Sequence, residues 1–416
     1  MSLLLDLPDP SEGPVQPLGV FPLPAGFLVL PPAAGADADT ARRALLTGDA
    51  AAPLPTAWAF AGHAFAGRTE AALEALAADA DAFAAYNRFV LAPDEDGWTA
   101  LAASTQGDLR QLAQAAAWFH GLGDDPPPPL AARRPEVAAL LALVTAAGLL
   151  GDGHAAAAHM VLAEGAAAAR PISPLLAAQL LGELARVETD EEAAVAHLRE
   201  ALALAADARL PGLRASLQLS LALCLHQQAG TSRPALLAAI DAYQEAVHAG
   251  LSAESDPAAY GLAQSNLGLA YLTLPMAGPG APLRMAVAVQ AFREALRVYD
   301  REAQPEEWAS VQLNLANALV YLPSSHPEEN LAQAVEIYEE LLAARPRALD
   351  PLGHARILHN QANALAHLGI FSPALHKLEE AHKLFHWHGE PGLAAAALEQ
   401  AQQINEKIAA AGSRVD

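Results

Sequence analysis

Histidine is the side chain best suited to acid–base and metal chemistry near neutral pH. Seven of the 15 histidines in this 416-residue chain fall late: His354, His359, His367, His376, His382, His386 and His388. His382 and His386 are four residues apart, on one face of a helix, and His388 follows. Zinc needs such convergence plus a third ligand. The stretch HKLFHWHG holds no Cys and no paired carboxylates, so no metal is expected there, and Phe385 and Trp387 are expected to pack. Cys224 is the one cysteine, so no intrachain disulfide can form. It lies in SLALCLHQQ on an apolar face and reads as a small buried hydrophobe rather than a nucleophile. G-x-S-x-G, H-E-x-x-H, phosphate-loop, dinucleotide and EF-hand patterns are all missing. GPGAP at 278–282 reads as a turn, the acidic run 93–96 as a solvated loop, and Asp190 to Glu192 as a helix start. Neither an enzyme nor a cofactor is therefore expected. What remains is carboxamides at matched positions: Asn266, Asn314 and Asn360 in one row, Asn317 and Asn363 in a second, with Gln218, Gln264 and Gln312 nearby. Each carboxamide both donates and accepts, so such rows can hold an extended backbone without reading its side chains. The competing reading is that they cap or bridge neighbouring helices.

Helices must carry these groups. Alanine makes up 102 of the 416 residues, aromatics 5% and charged residues 17%. Ala, Leu, Arg and Glu favour helix, and the scarcity of Val, Ile, Thr and Tyr disfavours a sandwich or barrel. The net charge of -23 opposes binding to nucleic acid or to an anionic membrane. Met1 to Asp9 lacks a signal peptide's charged start, and no run of 18 apolar residues escapes charge or a breaker. A cytoplasmic location is the expectation. Residues 1–55 form a Pro/Gly-rich arm, read as irregular or as a small hairpin. Residues 56–125 read as an N-terminal helical region, and the proline run within 126–134 as a linker.

From there the chain repeats itself. QLSLALCL at 218–225, QSNLGLAY at 264–271, QLNLANAL at 312–319 and LHNQANAL at 358–365 begin 46, 48 and 46 residues apart. Each is followed by a second segment: AIDAYQEAV, AVQAFREAL, AVEIYEELL and ALHKLEEAH. An earlier copy, AVAHLREAL, starts at Ala194. Across the five copies the second segment carries Ala194, Ala239, Ala288, Ala334 and Ala374 in one slot. Four residues later stand Leu198, Tyr243, Phe292, Tyr338 and Leu378. The first segment keeps a small residue: Gly182, Ala222, Gly268, Ala316 and Ala362. Two helices approach closely only where a small residue sits between them, and a large residue then fills the groove between units.

This register of small, Ala and large residues over about 175–385 resembles the tetratricopeptide repeat family, in its lengthened bacterial and kinesin-light-chain-like form. The family's first-helix Trp is absent, and of its closing prolines only Pro346 is present. The resemblance implies an all-α fold: a right-handed α-solenoid of stacked helix pairs over 135–392, with a capping helix and tail over 393–416. It also implies that first helices line a concave groove. Gln218, Gln264, Asn266, Gln312, Asn314, Asn317, Arg356, Asn360 and Asn363 would then face a bound peptide, with Ser220 in the fourth Asn slot. Arg356 alone approaches the family's carboxylate clamp, which needs several basic residues. The expectation is a non-enzymatic scaffold or adaptor for a protein partner with a basic or polar extended segment; self-association is left open. The alternative is a sensor whose N-terminal module binds a small molecule among Phe60, Phe65, Phe83, Tyr86, Phe89, Trp98, Trp118 and Phe119.

Overall fold

A computed structural model of the chain describes residues 28–31, 36–46, 53–208, 212–274 and 280–412. The chain forms two compact units, one of residues 1–228 with 248–250 and one of 229–247 with 251–416. The first holds α1 (Ala36–Leu46), α2 (Ala59–Phe65), α3 (Thr69–Leu76), α4 (Ala82–Leu91), α5 (Glu95–Ser104) and α6 (Gly107–Phe119). It continues with α7 (Pro135–Gly151), α8 (Ala155–Ala169), α9 (Pro174–Val187), α10 (Glu191–Leu204) and α11 (Leu213–Ala229). The second holds α12 (Arg233–His248), α13 (Pro257–Thr273), α14 (Ala281–Ala295), α15 (Pro305–Val320), α16 (Pro327–Ala344), α17 (Pro351–His367), α18 (Phe371–Trp387) and α19 (Pro391–Gly412). From α2 to α10 and from α13 to α19 consecutive helices pack on one another, so the fold is all-α and built of stacked helix pairs.

Two of these helices lie where other structure was expected. The arm 1–55 contains α1, and the acidic run 93–96 opens α5 instead of forming a loop. Asp94 accepts the Gly97 N–H at 2.6 Å, and Glu95 and Asp96 complement the positive end of that helix. The expected hairpin falls mostly on residues 1–27, outside the described residues. At the end of the arm, Leu28, Val29 and Leu30 are buried and lie extended. The Asn87 carboxamide, wholly buried in α4, accepts the Val29 N–H at 2.8 Å and donates to the Val29 carbonyl at 2.7 Å. Trp58 Nε1 donates to the Pro31 carbonyl at 2.8 Å.

The proline run packs against α7. Thr145 donates to the Pro127 carbonyl at 2.9 Å, and a Cβ on Gly148 would fall 2.9 Å from Pro126 Cγ. The buried Asp108 carboxylate accepts the Arg133 and Arg134 N–H groups and so ties the segment just before α7 to α6.

In the second unit, sequence dictates where helices start. Proline occupies the first turn of α13, α14, α15, α16 and α17, where its missing N–H costs nothing. Asp256 and Asp350 cap α13 and α17 with their carboxylates. Gly369, at φ 76°, ends α17 in the left-handed conformation that glycine adopts freely. The core is a seam of the repeated positions: Ala288, Phe292, Ala295, Ala334, Tyr338, Leu341, Ala374, Leu378 and Ala381 are all at most 1% exposed. Ala194, Leu198, Ala239 and Tyr243 are likewise buried, each within its own unit. Gly268 shows why a small residue is required, since a Cβ there would lie 2.6 Å from Phe292 Cε1. Gly182 is similar, with Leu217 Cδ2 at 2.8 Å from its would-be Cβ.

Candidate functional site

The outward face of the first helices in the second unit carries the amides. Residues three and four apart on a helix share a face. Asn314 and Asn317 of α15 stand beside Asn360 and Asn363 of α17, all half-buried. Two hydrogen bonds link successive helices in the same diagonal sense. Asn360 Nδ2 donates to Asn317 Oδ1 at 3.0 Å, and Gln400 Nε2 of α19 donates to Asn363 Oδ1 at 3.1 Å. By this pattern Gln400 continues the row of Asn266, Asn314 and Asn360, and Gln403 continues the row of Asn317 and Asn363.

These bonds settle which end of each carboxamide is spent. Asn317 Oδ1 accepts twice, from Asn360 and from the Tyr338 hydroxyl at 2.7 Å. Burial pushes the Tyr338 phenol well above its usual range, so it stays a donor. Among the described residues the Asn317 amino group and the Asn360 carbonyl carry no hydrogen bond to the protein. Asn363 Nδ2 donates to the Tyr321 hydroxyl at 2.9 Å. The row two position of α13 is Leu269, 38% exposed, which offers Asn314 no amide partner. Asn317, Asn360 and Asn363 thus bridge neighbouring helices, the structural one of the two roles expected for them.

The remaining expected groove residues are placed differently. Asn266 donates to the Leu262 carbonyl of its own helix at 3.0 Å, leaving its oxygen outward. Gln264 is 8% exposed and hydrogen-bonds Tyr260, whose hydroxyl donates to Glu294 at 2.9 Å. Gln312 is half-buried, with a shielded Oε1 that has no hydrogen-bond partner. Arg356 is exposed one turn before Asn360. Gln218 and Ser220 are half-buried in α11, which belongs to the first unit. Sequence reasoning missed Gln400 and Gln403. Their signal is weak, because the step from Asn360 to Gln400 is 40 residues, shorter than the preceding 46, and QAQQ lacks the Asn-Leu wording.

Elsewhere the chemistry is sparse. Trp387 is 85% exposed and Phe385 is buried, so the expected packing holds for the phenylalanine only. Trp387 is the last residue of α18. His382 Nδ1 lies 3.0 Å from the Ala394 carbonyl, and its ring stacks on His386. Among the described residues no three His, Cys, Asp or Glu side chains converge as metal ligands would. A cavity of about 390 Å3 beside α4 and α5 is lined by Leu73, Arg88, Phe89 and Leu101, with Phe89 its one aromatic among the described residues. The Phe65 side chain lies outside the described residues. No described helix is long and apolar enough to cross a membrane.

Cys224 is half-buried, and burial together with the nearby Glu191 carboxylate pushes its thiol up. Because the thiolate is the reactive form, labelling by a thiol reagent should be slower than for a free cysteine at pH 8 and should gain its rate at higher pH. Labelling as fast as that of free cysteine at pH 8 would contradict this environment.

Fold and face together define a helical-repeat protein in which carboxamides bridge α15, α17 and α19. No family model matches the chain, and no curated protein matches it. Solved structures similar to it include human IFIT1, as a dimer with PPP-AAAA, at 12% identity over 84% of this chain and 82% of that one, TM-score 0.38. Another is Rap protein complexed with competence and sporulation factor, at 11% identity over 84% of this chain and 94% of that one, TM-score 0.37. Likeness at these scores carries no weight for function, and the fold assignment rests on the helix packing described above.

Proposed function

We propose that this chain is a non-enzymatic cytoplasmic scaffold or adaptor of the tetratricopeptide type, and that its second unit binds an extended polar segment of a partner protein. The groove is formed by the outward faces of α13, α15, α17 and α19. The observation that carries this reading is the pair Asn317 and Asn360, whose mutual bond leaves one amino group and one carbonyl with no hydrogen bond to the protein. An extended residue offers the complementary pair, one C=O and one N–H. The chain already uses this recognition internally, because Asn87 holds both backbone groups of Val29. Leu262 and Leu269, 39% and 38% exposed, add an apolar platform at the α13 end of the same face.

The test is selection from a displayed library of random peptides, long enough to cross these helices, on the full-length wild type and on an Asn266→Ala, Asn314→Ala, Asn360→Ala variant. Peptides selected on the wild type should lose about tenfold or more in affinity on the variant, as expected for several lost hydrogen bonds. The variant should melt as a folded protein. If the selected peptides bind both proteins equally, the groove reading fails. A labelled single-stranded RNA serves as a second ligand. Binding to it at physiological salt, as strong as to the peptides, would overturn a protein partner in favour of nucleic acid, against the net charge of -23.

A further inference from the structure

Between α17 and α19 the groove deepens into a cavity of about 370 Å3, lined among others by Tyr321, His359, Asn360, Glu399, Gln400 and Gln403. That is room enough for one long side chain. Its polar groups are unevenly matched. Gln400 spends its amino group on Asn363, and its carbonyl oxygen is shielded with no hydrogen-bond partner. Asn360 spends its amino group on Asn317 and keeps its carbonyl. His359 is half-buried against Phe385, and burial pushes its imidazole down, so the neutral ring keeps one accepting nitrogen. Glu399, exposed at the rim, is the one charged group in the lining. Against these stand the Gln403 amino group and the Tyr321 hydroxyl. Arg356 and Lys407 share these helices but lie outside the lining.

We propose that this cavity takes the basic side chain, Lys or Arg, of the segment bound in the groove. It rests on the groove reading above and adds to it the class of residue the groove selects. An ammonium or guanidinium group carries several donors and no acceptor, which is what an acceptor-rich cavity with one carboxylate lacks. An anion would meet Glu399 without a cation to offset it. A neutral apolar group would leave the Asn360 carbonyl and the Glu399 carboxylate without a partner, at a desolvation cost. The acidic chain as a whole also raises the local concentration of cationic segments.

The experiment is the same displayed peptide library, selected in parallel on the wild type and on Glu399→Gln, both full-length. Glu399 is exposed, so its replacement leaves folding intact. Peptides selected on the wild type should share Lys or Arg at one position, and those selected on Glu399→Gln should not. For the best synthetic peptide, affinity should fall about tenfold on Glu399→Gln, as for loss of a charge-assisted hydrogen bond. Affinity should fall equally when citrulline replaces its arginine or norleucine its lysine, and the two losses should not add. A third protein, Asn314→Ala, changes the groove outside the cavity lining; peptides that lose affinity on it yet show no basic position, or losses that add, overturn the basic subsite and leave the groove standing. If no selected peptide depends on Asn314, both readings fall.

Discussion

Truncating Phe292 to alanine should destabilise the second unit by about 3–5 kcal/mol, the range for removing a buried aromatic ring from a packed core. The ring is wholly buried, and its edge occupies the space where Gly268 would otherwise carry a Cβ. Gly268→Ala should therefore fail from the other direction, through overpacking, at about 1–3 kcal/mol. Combining Gly268→Ala with Phe292→Ala should cost less than the sum, because the new methyl enters space the ring has left. Urea denaturation of the three variants measures this directly. Simple additivity of the two losses would show that ring and glycine do not share one slot.

A comparable loss is expected in the first unit from one side chain far from any groove. Asn87→Ala should cost about 2–6 kcal/mol, since it strands both the N–H and the C=O of Val29 in the interior, at about 1–3 kcal/mol each. Asn87→Asp should rescue little, because a carboxylate supplies the acceptor but turns a second oxygen towards the Val29 carbonyl. Hydrogen exchange at the Val29 amide gives the local readout. Protection there that persists in Asn87→Ala would mean that Asn87 does not hold the arm.

Much of the second unit is legible in the residues themselves. Gly268, Ala288, Phe292, Ala334 and Tyr338 recur at spacings that a helix pair must use, so periodicity alone predicts their burial, and all are buried. Local chemistry hides other elements. The Pro- and Gly-rich arm masks α1, and an acidic stretch reads as loop when Asp94 in fact caps α5. Contacts between distant residues are hidden altogether. Asn87 and Val29 are 58 positions apart, and nothing in NRFVL announces a partner for that amide. For the groove, residue types and rows are readable, but the bonds that spend one end of Asn317 and Asn360 and leave the other are not. Gln264 shows the same limit, because its slot matches the repeat while its side chain turns inward to Tyr260.

The diagonal bonds Asn360 to Asn317 and Gln400 to Asn363 join residues 43 and 37 positions apart, on different helices. Duplicating a whole helix pair reproduces such a bond together with its outward valence. Changing one carboxamide alone disturbs two helices and the partner's exposed end at once. The carboxamide bridges thus behave as a coupled array, in which a change on one helix is felt on the next.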